Sequence, residues 1–146
     1  MRAAEWLAGL RVGDVHDFPP VSVTAEAIPR FAAEYDPQPF HLSEEGAHGT
    51  IFEHLAASGW HTAALTLQAL AADAAWPVAQ VHWLGFDALR WKLPVRPGDR
   101  LQVRAICEAA GVVEPAEESA ATRLRIETFN QAGDLVMSYV ALLRTD

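Results

Sequence analysis

Residues 55–75 read LAASGWHTAALTLQALAADAA, a run built mainly from alanine, leucine, tryptophan and threonine. Such a run is apolar on most faces of a helix, and a helix that is apolar all round is buried. We therefore predict a long helix within Phe52 to Trp76. The regular helix begins near Ser58, ends before Pro77 and lies at the centre of the molecule.

The chain after this helix is predicted to form antiparallel strands, because apolar and polar residues alternate along it. The predicted strands are Val81–Leu93, Leu101–Cys107, Thr122–Phe129 and Leu135–Leu143. Gly85 indicates a bulge or bend in the first of them. The sequence Arg96-Pro97-Gly98-Asp99 is typical of a type II turn. An acidic connection, Ala109–Ala121, joins two of the strands.

The chain before the helix predicts a short strand or extended arm over Leu10–Phe18 and a further helix capped by Thr24. That helix ends by Asp36, because prolines follow at positions 37 and 39. Asp36–Ile51 is expected to be a loop. Together these elements predict an α+β fold in which a curled antiparallel sheet wraps around one long central helix. The open edge of such a sheet favours dimerisation.

Composition narrows the functional classes. The chain has 146 residues, which fits one domain over 1–146, and its net charge of −8 disfavours generic nucleic-acid binding. A single cysteine, Cys107, excludes an intrachain disulfide and a cysteine-rich metal site, and we expect a core thiol. No apolar run approaches the length of a membrane span, and the first ten residues do not resemble a secretory signal. A cytoplasmic protein without a bound metal is expected.

The segment Asp36–His41, DPQPFH, carries the clearest chemical signal. Its prolines hold a carboxylate and an imidazole in a rigid loop, and such a pair is suited to general acid–base catalysis. Ordinary turn chemistry is the alternative, since an Asp before Pro often caps a turn.

The start of the predicted helix, at Ser58 and Gly59, is a second candidate. Free N–H groups at a helix N-terminus stabilise anions and developing oxyanions, and a glycine allows close approach of a ligand. The alternative is that Ser58 only caps the helix while Gly59 packs. The strained Gly-x-Ser-x-Gly elbow of a hydrolase is absent from the sequence.

Taken together, these segments resemble the MaoC-like dehydratases, also known as (R)-specific enoyl-CoA hydratases, over roughly Thr24 to Leu143. The matching segments are Asp36–His41, Phe52, Ala57–Thr62, Leu84-Gly85, Leu89–Trp91 and Pro94–Asp99. The resemblance implies a dimeric hotdog fold that hydrates a 2-enoyl thioester or runs the reverse elimination. It implies that His41 is the main general base and acid and that Asp36 is its partner. Gly59 would hold the thioester oxygen through its N–H, and Ser58 stands where many members have histidine.

The resemblance also implies an acyl-CoA substrate and no separate cofactor. Arg90, Lys92 and Arg96 are the candidate contacts for the nucleotide of coenzyme A, with solvated strand-face charge as the alternative. Two departures stand against the family pattern. Glu53 and His54 replace a usual pair of glycines, adding bulk and charge near the substrate tunnel, and the connection 112–118 is acidic where similar proteins tend to be basic.

Two further functions remain open at this stage. A hotdog thioesterase needs a carboxylate on or beside the central helix, and the candidates are Glu53 near its start and Asp73 at its far end. A non-catalytic acyl-binding or accessory subunit would keep the fold without turnover. His54 and His61 are spaced for one helical face, but no third ligand is suitably spaced for a metal site.

Overall fold

The computed structural model describes residues 2–110 and 122–144 of the chain. Its helices are α1 Ala3–Gly9, α2 Ala27–Tyr35, α3 Pro39–Leu42, α4 Glu44–Ala47 and α5 Gly59–Ala71, with a 3₁₀ turn at Val78–Gln80. Its strands are β1 Val15–Asp17, β2 Val21–Ser22, β3 Trp83–Trp91, β4 Arg100–Ala109, β5 Thr122–Phe129 and β6 Leu135–Leu143. Of the predicted acidic connection Ala109–Ala121, Ala109 belongs to β4, and 111–121 lie outside the described residues.

All strand pairs are antiparallel, and the strand order is β1-β4-β5-β6-β3, with β2 paired to β4. The four strands predicted after the helix are confirmed, as is the irregularity at Gly85, where the register of β3 against β6 shifts. The predicted turn before β4 is confirmed too. Gly98 has a φ of +86°, and the N–H of Asp99 donates to the carbonyl of Arg96 over 3.1 Å.

Alternation along β4 and β5 places one side of each strand against α5 and the other outward. The inward residues of β4 are Leu101, Val103, Ala105 and Cys107, all buried. Cys107 is therefore a core thiol, as predicted. The outward residues of β5 include Arg123, which pairs with Asp87 on β3 across β6, and Arg125, which pairs with Glu108 on the adjacent β4.

Helix α5 begins where the sequence predicts it, with the hydroxyl of Ser58 accepting from the N–H of Trp60. It ends at Ala71, earlier than expected. The side chain of Asp73 accepts from the N–H of Ala75 at 2.9 Å and from His16 Nε2 at 2.8 Å. A turn stabilised by an aspartate side chain competes with continued helix, which explains the early end.

The expectation that α5 is buried on all sides is wrong. The helix packs against α2, β2 and β4 through one face, whose buried residues are His61, Thr62, Thr66, Ala69 and Leu70. On the other face, Trp60 is 53% exposed and Leu67 is 47% exposed. The sheet is too small to close around the helix, so one apolar face of α5 lines a surface cavity.

Three short helices were not predicted. Helix α1 buries Trp6 and Leu7, and the expected loop over 36–51 contains α3 and α4. The signals were present locally, because Pro39 occupies the first turn of α3 and the Ser43 hydroxyl caps α4 by accepting from the N–H of Gly46. Among the described residues, no helix is both long and apolar enough to cross a membrane.

A buried pair of hydroxyls connects α5 to the sheet. Thr66 Oγ1 donates to the carbonyl of Thr62 at 2.9 Å and lies 2.8 Å from Thr128 Oγ1 on β5. Both threonines are fully buried. A hydroxyl has one proton, and that of Thr66 is already used, so Thr128 is the donor in the Thr66–Thr128 bond.

This direction predicts unequal effects of two isosteric substitutions. Thr66→Val leaves the Thr128 proton buried without an acceptor, so we expect the free energy of unfolding to fall by about 1–3 kcal/mol. Thr128→Val leaves no unpaired donor, so the loss is smaller, and the double variant recovers most of the Thr66→Val loss. Urea unfolding at one protein concentration measures all three. A Thr128→Val variant less stable than Thr66→Val would contradict the assigned direction.

Candidate active site

The structure brings Asp36 and His41 together. Asp36 directly follows α2, where the backbone leaves the helical conformation (φ −156°, ψ 67°) before Pro37, and His41 lies on the single turn of α3. His41 Nε2 lies 3.6 Å from Asp36 Oδ2, with the side chains 6% and 17% exposed. The two groups are close enough to interact electrostatically when the imidazole is protonated.

The other ring nitrogen of His41 determines which atom does proton chemistry. His41 Nδ1 lies 2.7 Å from the carbonyl oxygen of Ala56. A carbonyl only accepts, so Nδ1 carries the proton and donates. In the neutral ring the lone pair is therefore on Nε2, the atom that faces Asp36. Nε2 is the position at which His41 can take up and release a proton.

Both oxygens of Asp36 accept hydrogen bonds from side chains. Gln38 Nε2 donates to Oδ1 at 2.7 Å, and Ser58 Oγ donates to Oδ2 at 2.7 Å. Burial alone raises the pKa of the Asp36 carboxyl, but these two bonds and the attraction of His41 outweigh it and lower the pKa below its ordinary value. Asp36 is thus held as a carboxylate at neutral pH.

Ser58 and Gly59 lie beside this pair at the start of α5. The fully buried Ser58 hydroxyl donates to Asp36 and accepts from the N–H of Trp60, so it both caps the helix and orients the carboxylate. Gly59 lies under the indole of Trp91, where an added Cβ would come within 2.5 Å of the ring. Trp91 Nε1 also donates to the Gly59 carbonyl at 2.9 Å. The N–H of Gly59 is at the first helical position, where α-helix geometry provides no acceptor.

A cavity of about 380 Å³ joins the two segments that the sequence singled out. Among its lining residues are Asp36, Gln38, His41, Phe52, Gly59, Trp60, Trp91 and Lys92. A carboxylate, an imidazole and the first residue of α5 thus line one space, with aromatic rings around them. This arrangement suits proton transfer to and from a bound carbonyl compound.

A second, apolar cavity of about 520 Å³ lies between α5 and β3. Its lining includes Ala63, Ala64, Leu67, Trp83, Phe86, Leu89 and Tyr139. Trp60 lines both cavities, so the apolar space adjoins the one that contains Asp36 and His41. Burial raises the pKa of the Tyr139 hydroxyl well above its ordinary value, so that group stays neutral.

The three cationic residues predicted to contact coenzyme A lie in different surroundings. Lys92 is exposed and lines the catalytic cavity. Arg90 is exposed and donates to its neighbour's carbonyl, that of Leu89, at 3.0 Å. The guanidinium of Arg96 donates to backbone carbonyls of the segment 52–55. Of the three, only Lys92 opens into the cavity, and a role in nucleotide binding stays a prediction for all of them.

The other histidines and acids singled out in the sequence lie apart from this cavity. Glu53 and His54 are exposed and precede α5, so the expectation that His54 shares a helical face with His61 is wrong. His61 is buried and stacks on Phe31, with ring centroids 4.6 Å apart, and burial lowers its pKa. Asp73 pairs with His16 at the opposite end of α5.

Sequence reasoning missed three groups at the site. Gln38 supports Asp36, the Ala56 carbonyl sets the His41 tautomer, and Trp91 covers Gly59. The position of Gln38 inside the Asp36–His41 segment was a usable signal. No local pattern marks a backbone carbonyl or a distant tryptophan, because both reach the site only through folding.

Comparison with known families gives a direct match. A family model described as a MaoC-like domain matches residues 9–128, which is most of the chain. The matched region includes both Asp36–His41 and the start of α5, the two segments that line the 380 Å³ cavity. A comparison with curated protein sequences gives no match.

Solved structures agree with the family model. A MaoC-like dehydratase from Rhodospirillum rubrum is 40% identical with a TM-score of 0.80, and the alignment covers 92% of this chain and 91% of that one. The unliganded R-hydratase PhaJ1 from Pseudomonas aeruginosa is 29% identical with a TM-score of 0.72, covering 94% and 83%. An (R)-hydratase from A. caviae involved in PHA biosynthesis is 26% identical with a TM-score of 0.73, covering 94% and 98%.

The match spans β1, the Asp36–His41 segment, α5, β3, β4 and β5 up to residue 128. Its breadth, together with the antiparallel sheet packed on α5, confirms the predicted hotdog fold. The chain belongs to the MaoC-like domain family of hotdog hydratases and dehydratases.

Proposed function

We propose that the protein adds water across the double bond of a 2-enoyl thioester carried on coenzyme A, and runs the reverse elimination. The observation that carries this proposal is the pairing of His41 Nε2 with the Asp36 carboxylate inside a cavity that also holds the N-terminus of α5. The (R)-hydratases among the similar structures support the same class of reaction.

The geometry suggests how the steps divide. His41 Nε2 takes a proton from water while the water oxygen bonds to C3 of the enoyl chain, and the π electrons move towards the thioester oxygen. The N–H of Gly59 donates to that oxygen as it gains enolate charge. A proton then returns to C2, so the net change is the addition of one water. Asp36 stabilises the imidazolium between the two transfers.

The surroundings suggest where the substrate lies. The apolar cavity that shares Trp60 with the catalytic cavity suits the acyl chain, because burying hydrocarbon there removes it from water. Lys92 is exposed and lines the catalytic cavity, and we expect it to contact a phosphate of coenzyme A. Coenzyme A enters as part of the substrate, and this chain's own residues supply the acid–base chemistry.

The geometry favours this reaction over thioester hydrolysis. Glu53 is exposed and is not among the residues lining the catalytic cavity, and Asp73 is engaged by His16 at the far end of α5. Neither carboxylate reaches the space where Asp36, His41 and Gly59 meet. A thioesterase would need such a group beside the carbonyl carbon.

Removal of either member of the pair tests the reaction. We expect Asp36→Asn and His41→Ala each to lower kcat/KM about 10²–10⁴-fold, the usual contribution of a positioned acid–base group. The measurement is the fall in enoyl absorbance of a short 2-enoyl-CoA, with free thiol titrated in parallel. Asp134→Asn and His82→Ala alter exposed residues away from the cavity and serve as matched controls.

The outcomes separate the candidate functions. Unchanged turnover in Asp36→Asn and His41→Ala would contradict the assigned site. Release of thiol by the unaltered protein would replace hydration by thioester hydrolysis. Binding of the acyl-CoA with neither absorbance change nor thiol release would identify a non-catalytic acyl-binding subunit.

A second prediction follows from the hydrogen bonds that hold Asp36 ionised. Ser58→Ala removes one of them while burial still raises the pKa of the carboxyl, so the pKa of Asp36 rises. We therefore expect the carboxyl ¹³C signal of Asp36, followed by NMR as a function of pH, to titrate at higher pH in Ser58→Ala than in the unaltered protein. Ser22→Ala, on the exposed part of β2, is the control. A Ser58→Ala titration curve that superimposes on that of the unaltered protein would refute this coupling.

We also propose that the protein assembles as a homodimer. Strand β3 is at one end of the sheet, with β6 as its sheet neighbour among the described strands. Leu84 and Phe86 on this strand are 42% and 48% exposed, an apolar edge suited to a second copy. Light scattering should give about twice the chain mass of 15.9 kDa. A mass equal to one chain at micromolar concentration would refute it.

A further inference from the structure

We propose that Arg96 is a positioning residue for His41, acting through the backbone of the segment 52–56. The inference rests on the proposed acid–base role of His41. It also gives Arg96 a different role from the coenzyme A contact that the sequence predicted.

The guanidinium of Arg96 binds several backbone carbonyls. Nη1 donates to His54 O at 2.6 Å and approaches Leu55 O at 3.4 Å, while Nη2 donates to Phe52 O at 2.9 Å. Three carbonyls from four consecutive residues thus converge on one planar cation. A guanidinium suits this arrangement because its donors are spread over a rigid planar fork, whereas the three donors of an ammonium leave a single nitrogen.

Backbone turns hold the N–H groups of the segment, since that of Glu53 donates to Thr50 O at 3.1 Å and that of His54 donates to Phe52 O at 2.6 Å, whereas Arg96 holds its carbonyls. The segment belongs to no helix or strand, and Glu53 has a φ of 59°, a left-handed conformation that costs a non-glycine residue about 1–3 kcal/mol. From the opposite side, Glu44 Oε1 accepts from the N–H of Leu55 at 3.1 Å. The strained backbone is therefore held between a cation on its carbonyls and a carboxylate on an N–H.

What the segment holds in place is the imidazole. The carbonyl of Ala56, next to the last residue that Arg96 contacts, accepts from His41 Nδ1 at 2.7 Å. The N–H of Ala56 donates to Phe40 O at 3.1 Å. The ring of Phe52 lies 5.6 Å from the His41 ring, centroid to centroid. A shift of this backbone changes both the partner of Nδ1 and the packing of the ring.

Arg96 can transmit rigidity because its own backbone is fixed. Its N–H donates to Asp99 Oδ2 at 2.9 Å within the turn before β4, and Gln131 Nε2 donates to the other oxygen of that buried carboxylate at 3.0 Å. One residue earlier, the carbonyl of Val95 accepts from the N–H of Ala57 at 2.8 Å. The turn before β4 therefore anchors this part of the chain at two points, the backbone carbonyl of Val95 and the side chain of Arg96.

The kinetic test compares Arg96→Ala with Arg96→Lys and uses Arg123→Ala, on the outward face of β5, as the control. Each is assayed with a 2-enoyl-CoA and with the N-acetylcysteamine thioester of the same acyl group, which lacks the nucleotide. We expect Arg96→Ala to lower kcat about 10–100-fold with both substrates and to leave KM nearly unchanged, because displaced catalytic groups lose rate. Arg96→Lys restores little of the loss, and Arg123→Ala behaves as the unaltered protein.

A defect confined to KM for the coenzyme A substrate, and absent with the short thioester, would overturn the proposal in favour of nucleotide binding. Full activity in Arg96→Lys would also overturn it, because charge alone would then suffice.

A second readout does not depend on turnover. In ¹⁵N-labelled protein, the imidazole signals of His41 report which nitrogen carries the proton. We expect a single Nδ1-protonated form of His41 in the unaltered chain and a mixture of tautomers in Arg96→Ala. If the alanine variant does not fold, the same mixture is expected in Arg96→Lys. Identical His41 signals in the unaltered and Arg96→Lys proteins would refute the inference, even if the protein proved to be no hydratase.

Discussion

The hydrogen bond from His41 Nδ1 to the carbonyl of Ala56 is the interaction on which the rest of the site depends. It assigns the ring tautomer and leaves Nε2 to face Asp36. It also joins α3, which carries His41, to the backbone leading directly into α5, which carries Ser58 and Gly59. The residues proposed for acid–base chemistry and for oxyanion binding are thereby linked, so their geometry is set together.

The site keeps Asp36 negatively charged although the whole chain already carries a net negative charge. A net charge of −8 would disfavour another buried carboxylate, yet Asp36 stays ionised because Gln38 and Ser58 each donate to one of its oxygens. The cost of desolvating the carboxylate is met by these two donors and, to a smaller extent, by the attraction of His41. The position of Ser58 has the same explanation. Its hydroxyl donates to Asp36 and accepts from the N–H of Trp60 at the helix N-terminus.

Sequence patterns predicted most reliably the features that depend on residues close together in the chain. Alternation along β4 and β5, the turn at Arg96–Asp99 and the start of α5 at Ser58 were all predicted, since each depends on neighbouring residues. The end of α5 at Ala71 was not predicted; Asp73 holds the turn that follows it, and its side chain also bonds to His16, a residue 57 positions away. The exposed face of α5 was missed for a related reason: composition shows that a helix is apolar, but not how far a sheet can curl around it.

The sequence by itself determined the family, the α+β class and the candidate groups, because the Asp36–His41 segment and the helix start are short motifs with their own chemistry. Only the tertiary structure decided how these groups work together. It placed Asp36 against Ser58, and Trp91 over Gly59. It also turned the Arg96 side chain onto the backbone of 52–55. These contacts join residues from 22 to 44 positions apart, and their geometry comes from packing α5 against the sheet rather than from any local preference of the chain.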